Sequence, residues 1–120
     1  MKFLEQMGVS EPLIQASLLG EAVEHGPAAV FVADEDGRYV AVNQAACTLV
    51  GYSREELLSM RVSNLAEGME KWDEMQRTGS ASGTAELTRK DGTRVQFTYV
   101  AGATTVAGMP VYVSVGTAAS

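Results

Sequence analysis

Few side chains in this sequence could support acid–base, nucleophilic or metal chemistry. The 120 residues contain one histidine, His25, and one cysteine, Cys47. These two residues cannot build a multi-histidine or thiolate metal site, and one cysteine cannot form an intramolecular disulfide. The adjacent acids Glu55 and Glu56 follow Ser53, where a helix cap explains them without any catalytic role. We therefore predict that the protein has no catalytic residues and no metal ligands.

The length and composition indicate a single domain of ordinary hydrophobicity with an acidic surface. Hydrophobic residues make up 46% of the chain and the formal net charge is −6. An acidic protein is a poor nucleic-acid binder, because binding requires a basic face that displaces counterions. No apolar run approaches the roughly 18–20 residues that span a bilayer, and Glu5 interrupts any signal-peptide segment at the start. We expect no nucleic-acid or membrane partner and a cytoplasmic location.

The first 26 residues predict a helix that caps the rest of the chain. Ser10 is a candidate N-cap, and Pro12 suits the first turn of a helix. Ile14 and Leu18 begin a four-residue apolar repeat, which indicates an amphipathic helix with one apolar stripe. Gly26 and Pro27 end it.

The remainder predicts two strands, several short helices and three further strands. A hairpin over 28–42 precedes Asn43, which can cap a short helix. A capping box at Ser53 begins a second helix, and Gly68–Thr78 has the spacing of a third. Strands follow over 84–89, 94–105 and 111–117. This order indicates an α+β fold, with one antiparallel five-stranded sheet and helices grouped on one face.

In this order and spacing the chain resembles a PAS domain over residues 27–118. The residues that carry the resemblance are the run Asp34-Glu35-Asp36-Gly37-Arg38-Tyr39-Val40-Ala41-Val42-Asn43, then Ala46, the run Gly51-Tyr52-Ser53-Arg54-Glu55-Glu56-Leu57-Leu58, and Lys90-Asp91-Gly92. The resemblance implies strand order 2-1-5-4-3 and a sensory or interaction module. Such modules commonly hold a small molecule between sheet and helices, and they are often dimeric.

Strand alternation sorts the sheet residues into two faces. One face carries valines: Val30, Val32, Val40, Val42, Val100, Val111, Val113 and Val115. The other carries Phe31, Ala33, Tyr39, Ala41, Leu87, Phe97, Tyr99, Ala101, Tyr112, Ser114 and Gly116. The resemblance implies that Ala33 points toward the helices, which makes the second set the inner face.

The inner face mixes small residues with tyrosines, and this favours a pocket for a small, mostly apolar ligand bound noncovalently. The predicted ligand-binding residues are Phe31, Ala33, Tyr39, Trp72, Leu87, Phe97, Tyr99, Tyr112 and Ser114. The alternative is that the aromatic residues and methionines fill this space as an ordinary core.

The resemblance also bears on cofactors. Light-sensing flavin members of the family have a cysteine in a segment that corresponds to 61–66 here, and this segment contains none. Haem-binding members use a histidine on the long helix, and 68–78 contains none. We therefore predict no haem, flavin or thiol-linked chromophore.

The valine face predicts contact with a second subunit, because so many valines are costly to leave in water. The predicted dimer-interface residues are Ile14, Leu18, Val30, Val32, Val113 and Val115. A fused or separate signalling output domain is a further expected partner. Two other functions remain open. One is a ligand-free dimerisation or protein-interaction scaffold. The other is a small cone-shaped α+β enzyme, which would need an acid in the pocket, whereas the parity of Glu86 places it outside.

Overall fold

The computed structural model describes residues 8–66 and 70–119. Its helices and strands in chain order are α1 (Pro12–Glu24), β1 (Ala29–Ala33), β2 (Tyr39–Val42), α2 (Gln44–Val50), α3 (Arg54–Leu57), α4 (Val62–Leu65), α5 (Glu70–Thr78), β3 (Ser80–Thr88), β4 (Arg94–Val106) and β5 (Met109–Ala118). The predicted helix at 68–78 is thus present from Glu70. Positions 68 and 69 lie outside the described residues.

The five strands form one antiparallel sheet in the order β2-β1-β5-β4-β3. The predicted fold and strand order are confirmed. The core lies between one face of this sheet and the short helices. Phe31 and Phe97 of the sheet belong to the same buried cluster as Ala46 of α2, Leu57 of α3 and Leu65 of α4.

A β-bulge in β2 corrects two of the predicted face assignments. Val32 pairs with Ala41, but the next residue, Ala33, pairs with Tyr39, so Val40 is an extra residue with no partner on β1. An extra residue reverses the alternation beyond it. Val42 is therefore buried beside Phe31 on the inner face, and Ala41 is exposed, the opposite of the prediction.

The last three strands are longer than their sequence signals indicate. β3 begins at Ser80, where Ser, Ala and Gly give little strand propensity. Pairing with β4, which begins at Ser80↔Gly102, stabilises this part of β3 instead. A four-residue helix, α4, also lies between α3 and α5, where the sequence predicts no element.

Helix α1 differs from its predicted pattern at both its cap and its faces. The N-cap is Glu11, which makes no side-chain capping bond, so Ser10 does not cap the helix. Only Ile14 is buried, whereas Leu13, Leu18 and Leu19 are exposed at 81%, 42% and 64%. The apolar residues are therefore spread around the helix. No helix in residues 8–66 or 70–119 is long and apolar enough to cross a membrane.

Asn43 joins three elements through four side-chain hydrogen bonds. Its Oδ1 accepts from the backbone N–H of Val30 at 2.9 Å and of Ala46 at 3.0 Å. Its Nδ2 donates to the carbonyls of Val23 at 2.7 Å and Ala28 at 2.8 Å. The residue is 4% exposed, so water cannot replace these bonds. The end of α1, the start of β1 and the N-terminus of α2 meet at this one amide.

The β3–β4 turn is fixed to α2 and α3 by a second set of polar contacts. The predicted capping box is present, with Glu56 and Ser53 bonded reciprocally. Lys90 Nζ lies 2.7 Å from the second oxygen of Glu56. The hydrogen bond from Lys90, together with the one from the Ser53 backbone, lowers the pKa of Glu56 to about 2. Lys90 N–H also donates to the Val50 carbonyl at 2.9 Å.

Replacing Asn43 tests whether this amide holds the fold together. Asn43→Ala leaves two buried donors and two carbonyls without their partner, and we expect a loss of about 3 kcal/mol in the free energy of unfolding. The matched control is Asn64→Ala, because Asn64 accepts one exposed bond from Arg61 N–H. Urea denaturation of both variants measures the difference. Equal losses in the two variants would show that Asn43 has no special role.

The turn between β4 and β5 offers a stabilising substitution. Ala107 has φ 51° and Gly108 has φ 80°, as expected for the two central residues of a type I′ hairpin turn. Alanine is strained there, so Ala107→Asn should stabilise the fold by about 0.5–1 kcal/mol. Ala107→Gly should also stabilise, whereas Ala103→Gly within β4 should destabilise. Thermal unfolding midpoints that fall for both glycine variants would contradict this.

Candidate functional site

A cavity of about 250 Å³ lies between the inner face of the sheet and helices α4 and α5. All nine residues predicted to bind a ligand line it: Phe31, Ala33, Tyr39, Trp72, Leu87, Phe97, Tyr99, Tyr112 and Ser114. Six further residues complete the lining: Val62, Ala66, Met75, Thr84, Ala85 and Glu86. The structure thus brings the predicted set together, and its binding role remains a prediction.

Strand register determines the floor of the cavity. Ala33 pairs with Tyr39 on one side and with Tyr112 on the other, so these three residues form one row across β2, β1 and β5. Phe31 and Ser114 form the adjacent row. The small side chains of Ala33 and Ser114 leave space that a larger residue on β1 or β5 would fill.

Aromatic rings form much of the wall. Phe31 contacts Tyr39 with ring centroids 5.5 Å apart and Phe97 at 5.6 Å. The ring of Phe97 is stacked on that of Tyr99 at 5.8 Å. These distances are typical of favourable aromatic pairs. The rings pack on each other along the sheet and still leave open volume beside them.

Helix α5 closes the cavity opposite the sheet. The Trp72 ring meets the Tyr112 ring edge-on, with centroids 5.0 Å apart. A Cβ atom at Gly37 would lie 3.7 Å from Trp72 Cζ2, so the first hairpin turn lies against this ring. Gln76 Nε2 donates to the Glu35 carbonyl at 3.1 Å. The turn and the sheet together therefore position α5.

The segment before α5 forms another side of the cavity by joining the first hairpin. Tyr39 N–H donates to the Met60 carbonyl at 3.1 Å, and Val62 N–H donates to the Gly37 carbonyl at 2.8 Å. Ala66 forms a β-bridge with Leu87. These backbone bonds span the sheet from β2 to β3 and hold Val62 and Ala66 over the inner face.

The polar groups of the lining are almost all uncharged. Burial raises the pKa of the Tyr39 hydroxyl, so it stays protonated at neutral pH. Among the fifteen lining residues named above, Glu86 is the one acid, and its carboxylate accepts hydrogen bonds from Arg94 at 2.6 Å and from Gln96 at 3.0 Å. Both partners face the outer side of the sheet, as the parity of Glu86 predicts. The fifteen described residues of the lining include no lysine, arginine or histidine.

The sequence contains signals for some of the missed lining residues but not for others. Ala85 lies two residues before Leu87, so alternation alone places it on the inner face. Met75 lies on the predicted helix with Trp72, three residues away. Val62 and Ala66 had no such signal, because their position depends on the contacts of 60–66 with distant strands.

His25 and Cys47 do not belong to the cavity lining. His25 is the exposed C-cap residue of α1. Cys47 is half-buried on α2, and desolvation raises the pKa of its thiol, which disfavours the reactive thiolate. Within the part of the chain that the structure describes, no three His, Cys, Asp or Glu residues are grouped to hold a metal ion.

Most of the residues predicted for the dimer interface lie on the outer face or on α1. Val30 pairs with Val115 and Val32 with Val113, so these four valines form one patch on β1 and β5. Val115 is 36% exposed and the other three are half-buried. Ile14 is already buried within the chain, so α1 offers a partner mainly its exposed leucines.

Comparisons with known proteins agree with this architecture. A PAS domain from a two-component sensor histidine kinase aligns with a TM-score of 0.80 at 15% identity, covering 91% of this chain and all of that one. A PAS domain of an HTR-like protein from Haloarcula marismortui aligns at 0.77 and 19% identity, covering 88% of this chain and 92% of that one. An RNA-binding light-oxygen-voltage receptor aligns at 0.78 and 18% identity over 92% of this chain and 35% of that one.

These structural similarities show the fold, and the sequence shows the family. A comparison with curated protein sequences finds no match. The family model described as "PAS domain" matches residues 27–115, from two residues before β1 into the last strand. The matched segment contains the fifteen cavity residues named above and part or all of each of the five strands. The chain belongs to the PAS domain family.

Proposed function

We propose that the protein is a non-enzymatic sensory module that binds a small, mostly apolar molecule noncovalently between its sheet and helices. The observation that supports this is the cavity of about 250 Å³, whose floor is formed by Ala33 and Ser114. Concave, largely apolar spaces with a few polar groups are typical of small-molecule sites. The volume lies below the roughly 300 Å³ at which drug-sized pockets begin, which favours a compact ligand.

The lining fits such a molecule better than it fits a haem, a flavin or a covalently attached chromophore. Among the residues that the structure describes, the lining has no histidine to bind iron, no cysteine to form a thioether or an adduct, and no cationic side chain to pair with a phosphate. The lining residues are therefore proposed to contact a freely exchanging ligand.

We further propose that the protein forms a homodimer through α1 and the outer valine patch of Val30, Val32, Val113 and Val115. Exposed apolar residues are concentrated on α1, where Leu13, Leu18 and Leu19 are all more than 40% exposed. The end of α1 is fixed beside β1 by Asn43, so these leucines and the patch can form one continuous surface. A second copy of the chain covers this surface in the proposed dimer, which would place two cavities under one interface.

The proposed setting is signalling through an output domain, fused or separate, in the cytoplasm. One structurally similar protein is described as a PAS domain from a two-component sensor histidine kinase, which supports this proposal. In this chain the proposed connection between the cavity and the dimer interface is the sheet, because its two faces carry these two sites. β1 presents Phe31 and Ala33 to the cavity and Val30 and Val32 to the proposed interface.

A ligand-free dimerisation scaffold is the second candidate. The contacts of Phe31 with Tyr39 and Phe97 at 5.5 and 5.6 Å would equally suit a core that packs for stability alone. The two functions differ in whether the volume above Ala33 and Ser114 is open. Native mass spectrometry of protein purified from cells reports bound small molecules and subunit number together.

Filling the cavity distinguishes a sensor from a scaffold. Ala33→Leu and Ser114→Leu place side chains into open volume, so we expect the free energy of unfolding to change by less than about 1 kcal/mol. Ala46→Leu is the control, because Ala46 is fully buried and lies outside the lining. It should lose about 1–3 kcal/mol through overpacking. If all three variants lose that much and native spectra show no bound molecule, the sensor proposal fails and the scaffold remains.

A matched pair of charge substitutions tests the dimer. Leu18 on α1 is 42% exposed, and Leu58 after α3 is 43% exposed. Leu18→Lys places an ammonium group in the proposed interface and should weaken the dimer at least tenfold, because an unpaired buried charge costs several kcal/mol. Leu58→Lys should leave it unchanged. Sedimentation equilibrium measures both, and a monomeric wild type would contradict the proposal at once.

A further inference from the structure

Two arginines lie directly opposite each other at the β2 edge of the sheet. Arg38 and Arg61 form an isolated antiparallel bridge. The backbone bonds beside it join the residue after one arginine to the residue before the other, as Tyr39 N–H does to the Met60 carbonyl at 3.1 Å. This is the pattern of a non-hydrogen-bonded pair, in which opposing Cα atoms are only about 4.5 Å apart. The two side chains therefore leave the backbone as close neighbours.

Both arginines point away from the cavity. Tyr39 and Val62, the residues that follow them, line the cavity, and Met60 packs against the core. Because successive side chains of extended backbone alternate in direction, Arg38 and Arg61 project to the other side, where both are exposed. Neither belongs to the cavity lining or to the residues proposed for the dimer. A role for this pair is therefore independent of the proposed ligand and of the proposed interface.

The pair is unfavourable for the isolated fold, because like charges directly opposite on neighbouring strands repel each other. Among residues 8–66 and 70–119, no carboxylate forms an ion pair with the guanidinium group of Arg38 or Arg61. Asp34, in the adjacent turn, uses its Oδ1 to accept the backbone N–H groups of Asp36 and Arg38 at 2.9 and 3.0 Å. An anion from outside this part of the chain would relieve the repulsion.

Other cations of the sheet and helices have the partners that this pair lacks. Arg54 pairs with Glu24, and Lys90 with Glu56 at 2.7 Å. An arginine is well suited to the same contact with a foreign carboxylate, because its planar fork can donate two parallel hydrogen bonds.

The surroundings favour a carboxylate on a protein over a free ion or a nucleic acid. Ion pairs that stay open to water contribute little, whereas a partner surface that covers the arginines strengthens them by lowering the local dielectric constant. Val40, the unpaired bulge residue two positions after Arg38, is 42% exposed and offers such a partner an apolar contact. A long polyanion would meet the acids at 34–36 and the net charge of −6.

We propose that Arg38, Arg61 and Val40 form a docking site for an acidic segment of a partner protein. The carboxylates of the segment bond to the two guanidinium groups, and an apolar residue between them contacts Val40. This site uses the side of β2 that does not face the cavity, so its failure leaves the proposed sensory function untouched, and the reverse also holds.

A five-residue peptide with blocked ends, one leucine flanked by two glutamates on each side, tests the partner chemistry. We expect it to shift the backbone amide NMR signals of the wild-type protein around Arg38 and Arg61, and to bind more weakly as salt is added. The same peptide with glutamines in place of glutamates should produce no shifts. Inorganic phosphate and a short single-stranded DNA should bind more weakly than the glutamate peptide.

Single substitutions locate the site. Arg38→Gln and Arg61→Gln should each weaken the glutamate peptide about fivefold by removing one ion pair, and Val40→Ser about threefold by removing an apolar contact. Arg77→Gln is the matched control, because it removes the same charge from an exposed position in the last turn of α5. It should leave the affinity unchanged.

Thermal unfolding without peptide gives a readout that a purely structural role would move the other way. Removing one of two like charges should raise the unfolding midpoint of Arg38→Gln and of Arg61→Gln by about 1–2 °C in low salt. High salt should abolish this gain, and Arg77→Gln should show none.

Several results would overturn the docking site. One is a midpoint that does not rise for either arginine variant, because the guanidinium groups would then not repel each other in the free protein. Another is unchanged peptide affinity in Arg38→Gln, Arg61→Gln or Val40→Ser, or an equal loss in Arg77→Gln. Absence of peptide binding, or binding of phosphate, DNA or the glutamine peptide as tight as that of the glutamate peptide, would also overturn it.

Discussion

The buried amide of Asn43 is the constraint on which the arrangement of the other elements depends. Its four hydrogen bonds join the end of α1, the start of β1 and the first turn of α2. An amide can do this because it carries both donors and acceptors, whereas an aspartate at the same position would only accept. With these elements fixed, β1 has a defined start and register against β5, and the register determines which side chains enter the cavity.

The open volume follows from that register together with one irregularity. Pairing places Ala33 between Tyr39 and Tyr112, so two large side chains stand on either side of a small one. The bulge at Val40 is needed for this row, because it lets Tyr39 face inward while Val42 also faces inward two pairs away. Without the extra residue, alternation would turn one of these two side chains to the outer face. The cavity is therefore a product of the pairing geometry as much as of residue size.

The features that the sequence predicted are those encoded within a few residues. The cap at Asn43 and the capping box at Ser53 are local, and both are present. Simple alternation in β1, β4 and β5 likewise placed six of the nine predicted residues on the cavity: Phe31, Ala33, Phe97, Tyr99, Tyr112 and Ser114. The features missed depend on distant contacts. The bulge at Val40 arises from pairing with β1, and the position of Val62 depends on its bond to Gly37.

Strand β1 connects the two faces of the sheet mechanically. Phe31 and Ala33 line the cavity, and Val30 and Val32 alternate with them on the opposite face. Because these side chains share one backbone, a displacement of β1 by the proposed ligand would also move the outer valines. The start of the strand cannot absorb this displacement alone, since Asn43 bonds Val30 N–H together with the Val23 carbonyl of α1. In the proposed sensor, a change in the cavity would therefore reach both the valine patch and the helix beside it, the two surfaces that the proposed dimer uses.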